Sequence, residues 1–292
     1  MESFSGLNQS QRYPLDLDIR PYLLDHHLEG SAILPAVESL IVLAGAVKAV
    51  YPQDEIKYIR QAAFQRFLHL VPGSRRQPVS VGIKKTESGD IAASLLTSIQ
   101  SKTGTISRDI EHARAEFIMT ASAETVLPPF RPVNKLKGSC ISIPSATIYR
   151  ELIPFGVAYQ NIIGDLSVSS EGALGYLSGG HCGADEELLG SPFPLDAVMH
   201  AACVWGQRFA GIVPFPVGFE KRIIYRKTKK GEDYLGRVAP VSVTKESLIF
   251  DGWIYKDSVM CESISGLIMK DVTRGRRRPP EWIKIVNSND NR

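Results

Sequence analysis

Cysteine is scarce in this chain of 292 residues: Cys140, Cys182, Cys203 and Cys261 are all there is, and no two form a C-x-x-C pair. That spacing argues against a zinc knuckle and against a disulfide framework, and a reducing cytoplasm is the expected location. No apolar run opens the sequence. Residues 1–20 are polar and carry Asp16, Asp18 and two arginines where a secretory signal needs a hydrophobic core. A long unbroken hydrophobic run is missing too. The most apolar stretch, Ser31 to Val50, is interrupted by Pro35, Glu38 and Lys48, so it reads as a buried helix and not as a membrane span. Charge of one sign is also in short supply. A net charge of +3 and a pI near 8.6 do not by themselves point to nucleic acid. The one dense basic cluster, Arg274-Gly275-Arg276-Arg277-Arg278, reads as a solvated tail.

What is present is enough apolar material for a core, 43% of residues, in a length that suits one large domain or two similar halves. An order of elements occurs twice. Pro35 sits where proline suits a first helical turn, and Ala36 to Val50 follows with apolar residues nearly all round. Runs rich in β-branched residues come next, at Ile56–Leu70, Pro78–Lys85, Ile91–Ser101 and Ile110–Ser122, broken by turn signals such as Ser88-Gly89-Asp90 and Lys102-Thr103-Gly104. The proline- and lysine-rich segment Thr125–Ser145 reads as a linker. Then a short helix is expected at Tyr149–Phe155, strands at Asn161–Ser169 and Ala173–Ser178, and a second apolar helix at Ala197–Ala210. Four more strands are expected, at Lys221–Lys227, Asp233–Val243, Leu248–Tyr255 and Val259–Asp271. The expectation is a duplicated α+β unit with halves at 1–125 and 146–275, a linker at 126–145 and a basic, polar tail at 276–292.

Two motifs hold the residue types that acid–base chemistry needs. His26, Gly30 and Pro35 spell H-x-x-x-G-x-x-x-x-P. Imidazole is the side chain that titrates near neutral pH, glycine lets backbone approach a substrate, and the amides of a helix that begins at Pro35 suit a developing oxyanion. Read alone, the same residues fit a surface turn and a helix start. Asp196 and His200 spell D-x-x-x-H just before and within the second apolar helix. Aspartate is a common N-cap there and a histidine on an apolar face is often a core residue, yet the spacing of four lets His200 orient the carboxylate.

Taken together, these motifs resemble those of polyketide synthase dehydratases, over a span from about Tyr13 to Val272. His26, Gly30 and Pro35 match the family's first motif, and Asp196 and His200 its D-x-x-x-Q/H motif. Glu111-His112-Ala113 and Ser265-Gly266-Leu267 are weaker matches to its strands. The family's G-x-x-Y-G-P-x-F motif appears as Gly156-Val157-Ala158-Tyr159-Gln160-Asn161-Ile162, keeping glycine and tyrosine and losing the rest.

The resemblance implies a double hotdog, two antiparallel sheets each wrapped around a long central helix. It implies a free-standing dehydratase of polyketide or fatty-acid-like biosynthesis that takes water from a 3-hydroxyacyl thioester on acyl carrier protein, leaving a 2-enoyl product. No cofactor is implied beyond the phosphopantetheine arm that carries the substrate. His26 is then the base. Asp196 either hands a proton to the 3-hydroxyl or, if ionised, positions it while His26 shuttles the proton; apolar burial favours the first and a helix N-terminus the second. Gly30, Pro35, Tyr159 and His200 are expected at the substrate, and Tyr159 alone equally fits an ordinary buried tyrosine. An acyl tunnel between the halves is expected, with Val213–Gly218 as a wall. Lys221, Arg222, Arg226, Lys227, Lys229 and Lys230 either attract an acidic carrier or form a solvated strand face. Other synthase components and a second copy of the chain are the remaining expected partners. A double-hotdog isomerase or cyclase, a non-catalytic acyl-binding module and a nucleic-acid binder are the alternatives.

Overall fold

In the computed structural model the described residues are 10–53, 55–100, 107–118, 135–184 and 187–285. The expected turn at 102–104, much of the linker and residues 286–292 lie outside them. Helix α1, Ala36–Val50, begins directly after Pro35 and buries Leu40, Leu43, Ala44 and Val47 completely. A buried leucine or valine of this kind contributes about 1.5–3 kcal/mol, so this face alone anchors the helix. The helix lies on strands β5 (Arg76–Lys85), β6 (Ile91–Gln100) and β7 (Ser107–Ile118). Helix α3, Phe193–Phe209, is buried over almost its whole length and lies on β9 (Ile162–Ser169), β10 (Gly172–Ser178), β12 (Asp233–Val243) and β13 (Leu248–Lys256). The two helices also touch each other.

Two antiparallel sheets that run on into one another were expected; among the described residues the strands form one continuous antiparallel sheet of twelve. Its order is β1-β5-β6-β7-β4-β11-β14-β13-β12-β10-β9-β8, with β1 at Gln11–Asp18, β4 at Tyr58–Phe64, β8 at Ile141–Pro144, β11 at Phe215–Ile224 and β14 at Val259–Lys270. The halves join where β4 pairs with β11, Gly218 opposite Ala63 and Arg222 opposite Ile59. Glycine is needed at that seam because a Cβ on Gly218 would stand 2.4 Å from the Ala62 carbonyl oxygen. A short two-stranded hairpin, β2 (His27–Leu28) with β3 (Ser31–Ala32), leads into α1. Helix α2 (Ser145–Thr147) runs on into a π-type turn, Ile148–Leu152, ahead of the Phe155–Tyr159 loop.

Candidate active site

His26 closes a 3-10 turn, Pro21–Asp25, by donating its amide to the Leu23 carbonyl at 3.3 Å. The β2–β3 hairpin then brings Ile33 back beside it. The Ile33 amide donates to the His26 carbonyl at 2.9 Å, and His26 Nδ1 lies 3.2 Å from the Ile33 carbonyl oxygen. A carbonyl only accepts, so Nδ1 carries the proton and Nε2 keeps the lone pair. Burial pushes the imidazole pKa down to about 4, opposed by the charge of Asp196 and assisted by His200. The ring is therefore a neutral base at ordinary pH.

Gly30, expected at the substrate, is not among the residues that line the cavity. With Glu29 at φ 51° and Gly30 at φ 81° it makes the hairpin turn and is exposed. A turn of this hand suits glycine because no Cβ opposes it. Pro35 is buried at the start of α1 and accepts the Ser39 amide and hydroxyl, at 3.0 and 3.1 Å. It too stays behind the lining, to which its neighbours Leu34 and Ala36 and the hydroxyl-bearing Ser39 belong.

Asp196 is placed differently from the expected cap. The helix starts at Phe193, and Pro194, which has no N–H to lose, fits its first turn. Asp196 is thus inside the helix, its amide bonded to the Pro192 carbonyl at 3.1 Å, and its side chain is buried. His200 follows one turn later with Nε2 3.0 Å from Asp196 Oδ2. The ring N–H is not aligned with the carboxylate, so neither atom has a hydrogen-bond partner among the described residues. Buried polar atoms without partners, on two residues that line a cavity, suit a polar group of a ligand. The other ring nitrogen, Nδ1, faces the Tyr149 hydroxyl at 3.3 Å.

His26, Asp196 and His200 line a single cavity together. Its wall is mainly apolar, with Leu152, Phe155 and Met199 near the histidines and Val213, Pro214, Phe215 and Pro216 supplying most of the expected wall segment. The ring of Phe155 lies 4.2 Å from that of His26 and 5.3 Å from that of His200, bridging the halves. No local pattern in the sequence marked Phe155. Tyr159, expected to touch substrate, is fully buried and is not in the lining. Its ring packs on His26 at 5.1 Å, on Phe193 at 5.5 Å and on Tyr22 at 6.3 Å, and burial raises its hydroxyl pKa well above the usual value. It packs against His26 from outside the lining. Glu38, in the first turn of α1, was read only as an interruption of an apolar run. It is buried, accepts the Tyr22 hydroxyl at 3.1 Å, and burial raises its pKa to about 7.

The basic cluster is solvated at Arg274, Arg276 and Arg278, as expected, but it is folded into a turn and is not an extended tail. Asp271 accepts the amide and hydroxyl of Thr273 and the amide of Gly275, and buried Thr273 accepts the Arg277 amide at 3.2 Å. This turn brings Arg277 into the cavity wall, where Arg66 and His112 also stand, while Arg276 lies 3.5 Å from Glu29. Neither Arg66 nor Arg277 makes an ion pair among the described residues. The chain beyond continues to Ile283, fully buried, whose carbonyl accepts Arg208 at 3.1 Å. Arg222 leaves the expected basic face as well. It is buried and pairs with Glu262 at 2.7 Å. Among the described residues no group of His, Cys, Asp and Glu is arranged to hold a metal, and no helix is long and apolar enough to cross a membrane.

No family model and no curated protein matches the sequence. Solved structures do match the fold. A trans-AT polyketide synthase dehydratase domain from Brevibacillus brevis aligns over 91% of this chain and 96% of its own, with a TM-score of 0.70 and 18% identity. The dehydratase domain of the CurJ module of the curacin polyketide synthase aligns over 92% and 93%, at 0.71 and 14%. The chain has the fold of a polyketide synthase dehydratase domain. A trans-acyltransferase polyketide synthase enoyl-isomerase shares this dehydratase-type fold, over 90% of this chain and all of its own, at 0.60 and 14%. At such identities the fold is what is shared. The residues of the site have to argue the chemistry.

Proposed function

We propose that the chain is a dehydratase that takes water from a 3-hydroxyacyl thioester on the phosphopantetheine arm of acyl carrier protein, in polyketide or fatty-acid-like biosynthesis. The observation that carries this is the convergence of His26 and Asp196, from opposite halves of the chain, on one largely apolar cavity. His26 Nε2 removes the C2 proton, and that electron pair becomes the C2=C3 bond. As the C3–O bond breaks, the departing hydroxyl takes the proton from the imidazolium and leaves as water. Asp196 stabilises the imidazolium, as its opposing effect on the His26 pKa supports, and holds the hydroxyl. The unpaired amides at the start of α1, beside Ala36 and Ser39 of the wall, suit charge on the thioester oxygen. Arg66 and Arg277 suit the phosphate of the arm. Two copies of the chain forming a homodimer belong to the same reading.

The enoyl-isomerase with the same fold gives a second reading substance, since one base can move a proton along an acyl chain. Mass spectrometry of a 3-hydroxyacyl carrier protein after incubation separates the two. Loss of one water, abolished in His26→Ala and Asp196→Asn variants that fold normally, is expected. A product of unchanged mass overturns dehydration, and full turnover by both variants overturns catalysis at this site.

A further inference from the structure

The two histidines of the cavity are held by different partners at the same ring position. His26 Nδ1 faces a carbonyl, which can only accept. His200 Nδ1 faces the hydroxyl of Tyr149, which is buried with its ring edge-on to the imidazole at 5.8 Å. That hydroxyl already accepts the Ile162 amide at 2.7 Å. Its own proton is free to point at His200 Nδ1, 3.3 Å away. A nitrogen that accepts a hydrogen bond carries no proton, and a neutral imidazole must then carry it on the other nitrogen. His200 Nε2 is that other nitrogen, beside Asp196 Oδ2, buried and without a hydrogen-bond partner among the described residues, on a residue that lines the cavity.

We propose that Tyr149 is a positioning residue that locks His200 as the Nε2–H tautomer, so that the site presents an N–H donor to the oxygen of the departing hydroxyl. The use of that donor rests on the dehydratase reading; the tautomer does not. The arrangement is opposite to that of His26, and the reaction needs the opposition. One ring must take a proton through a lone pair, and the other must support an oxygen that gains negative charge as its bond to carbon breaks. The reverse tautomer of His200 would aim a lone pair at the substrate oxygen, beside the Asp196 carboxylate. Repulsion would replace support.

The test begins with long-range nitrogen–proton NMR of the histidines in the wild-type protein, His200 being assigned by its loss in His200→Gln. A protonated Nε2 and an unprotonated Nδ1 are expected; a protonated Nδ1 overturns the proposal without any variant of Tyr149 having to fold. In Tyr149→Phe the His200 signals are expected to move toward the other tautomer, and kcat to fall about ten- to hundredfold with KM nearly unchanged. Unchanged signals in that variant overturn the lock. A glutamine at 200 reaches the Nε2 position with no atom at Nδ1, so adding Tyr149→Phe to His200→Gln is expected to lower kcat no further. Additive losses would mean that Tyr149 acts through something other than His200. If no dehydration is found, the NMR result still decides the tautomer and only the role of the N–H falls.

Discussion

Asp25 and Gly156 clasp the two halves of the molecule together beside His26. The Asp25 carbonyl accepts the Gly156 amide at 2.8 Å, and its carboxylate accepts the Ala158 amide at 2.8 Å. A Cβ on Gly156 would stand 2.4 Å from Asp25 Cγ. Because the carboxylate is held by a hydrogen bond, it cannot swing clear without leaving the Ala158 amide unpaired. Gly156→Ala is expected to destabilise the fold by about 1–3 kcal/mol, read by urea unfolding. It should also lower kcat, because His26 is the next residue and moves with Asp25. A variant with wild-type stability and kcat would show that the clasp does not hold the base.

The buried state of His26 sets the acid side of the pH profile. With its pKa near 4, the imidazole stays neutral well below the range in which a free histidine protonates. The acidic limb of kcat/KM is expected near pH 4 and not near 6.5. Asp196 holds that pKa up, so an NMR titration of the His26 ring in Asp196→Asn should show its protonation displaced to still lower pH. A limb at 6.5 in the wild type would mean that the base is solvated when it works.

Much of this site was legible in the sequence because its punctuation is strong. Pro35 and Tyr51-Pro52 bracket α1, which runs from Ala36 to Val50 as read. The second helix starts four residues earlier than read, because Pro194 looks like a boundary while it is tolerated in a first turn. That shift turns Asp196 from a cap into a side chain of the first turn. Strand β1 escaped notice because Pro14 and its charged residues are features of an edge strand, which is where it lies. Strand β8 was hidden in a segment that reads as linker. Phe155 and Arg277 reach the cavity only through tertiary connections, the clasp at Asp25 and the turn around Thr273. Nothing within a few residues of either announces its destination.

Glu38 gives the protein a pH-dependent stability of its own. Its folded pKa near 7 lies above the 4.5 of an ordinary glutamate side chain, so the native state holds the proton more tightly than the unfolded chain. That contribution is complete below about pH 4.5 and is lost as pH rises through 7, for a total of about 3 kcal/mol at 1.36 kcal/mol per pKa unit. His26 acts in the opposite sense, its contribution being present above 6.5 and lost as pH falls toward 4. Comparing Glu38→Gln with wild type isolates the carboxyl. The variant is expected to gain in melting temperature relative to wild type between pH 6 and 8, while a constant difference across that range would show Glu38 to titrate normally.

A substitution at Arg277 is the means to test the proposed recognition of the arm apart from that of the acyl chain. Its guanidinium sits in the cavity wall without an ion pair among the described residues, held there by a turn whose hydrogen bonds are internal to residues 271–277. If it meets the phosphate of the arm, Arg277→Ala should raise KM for a carrier-bound substrate about tenfold or more, the loss expected for one charge-assisted hydrogen bond. KM for the same acyl group on N-acetylcysteamine, which has no phosphate, should not change. An equal rise with both substrates would place the guanidinium against the acyl chain or the thioester instead. That outcome would redirect attention to substrates with a polar or anionic chain, because an apolar chain gains nothing from a half-buried cation without an ion pair.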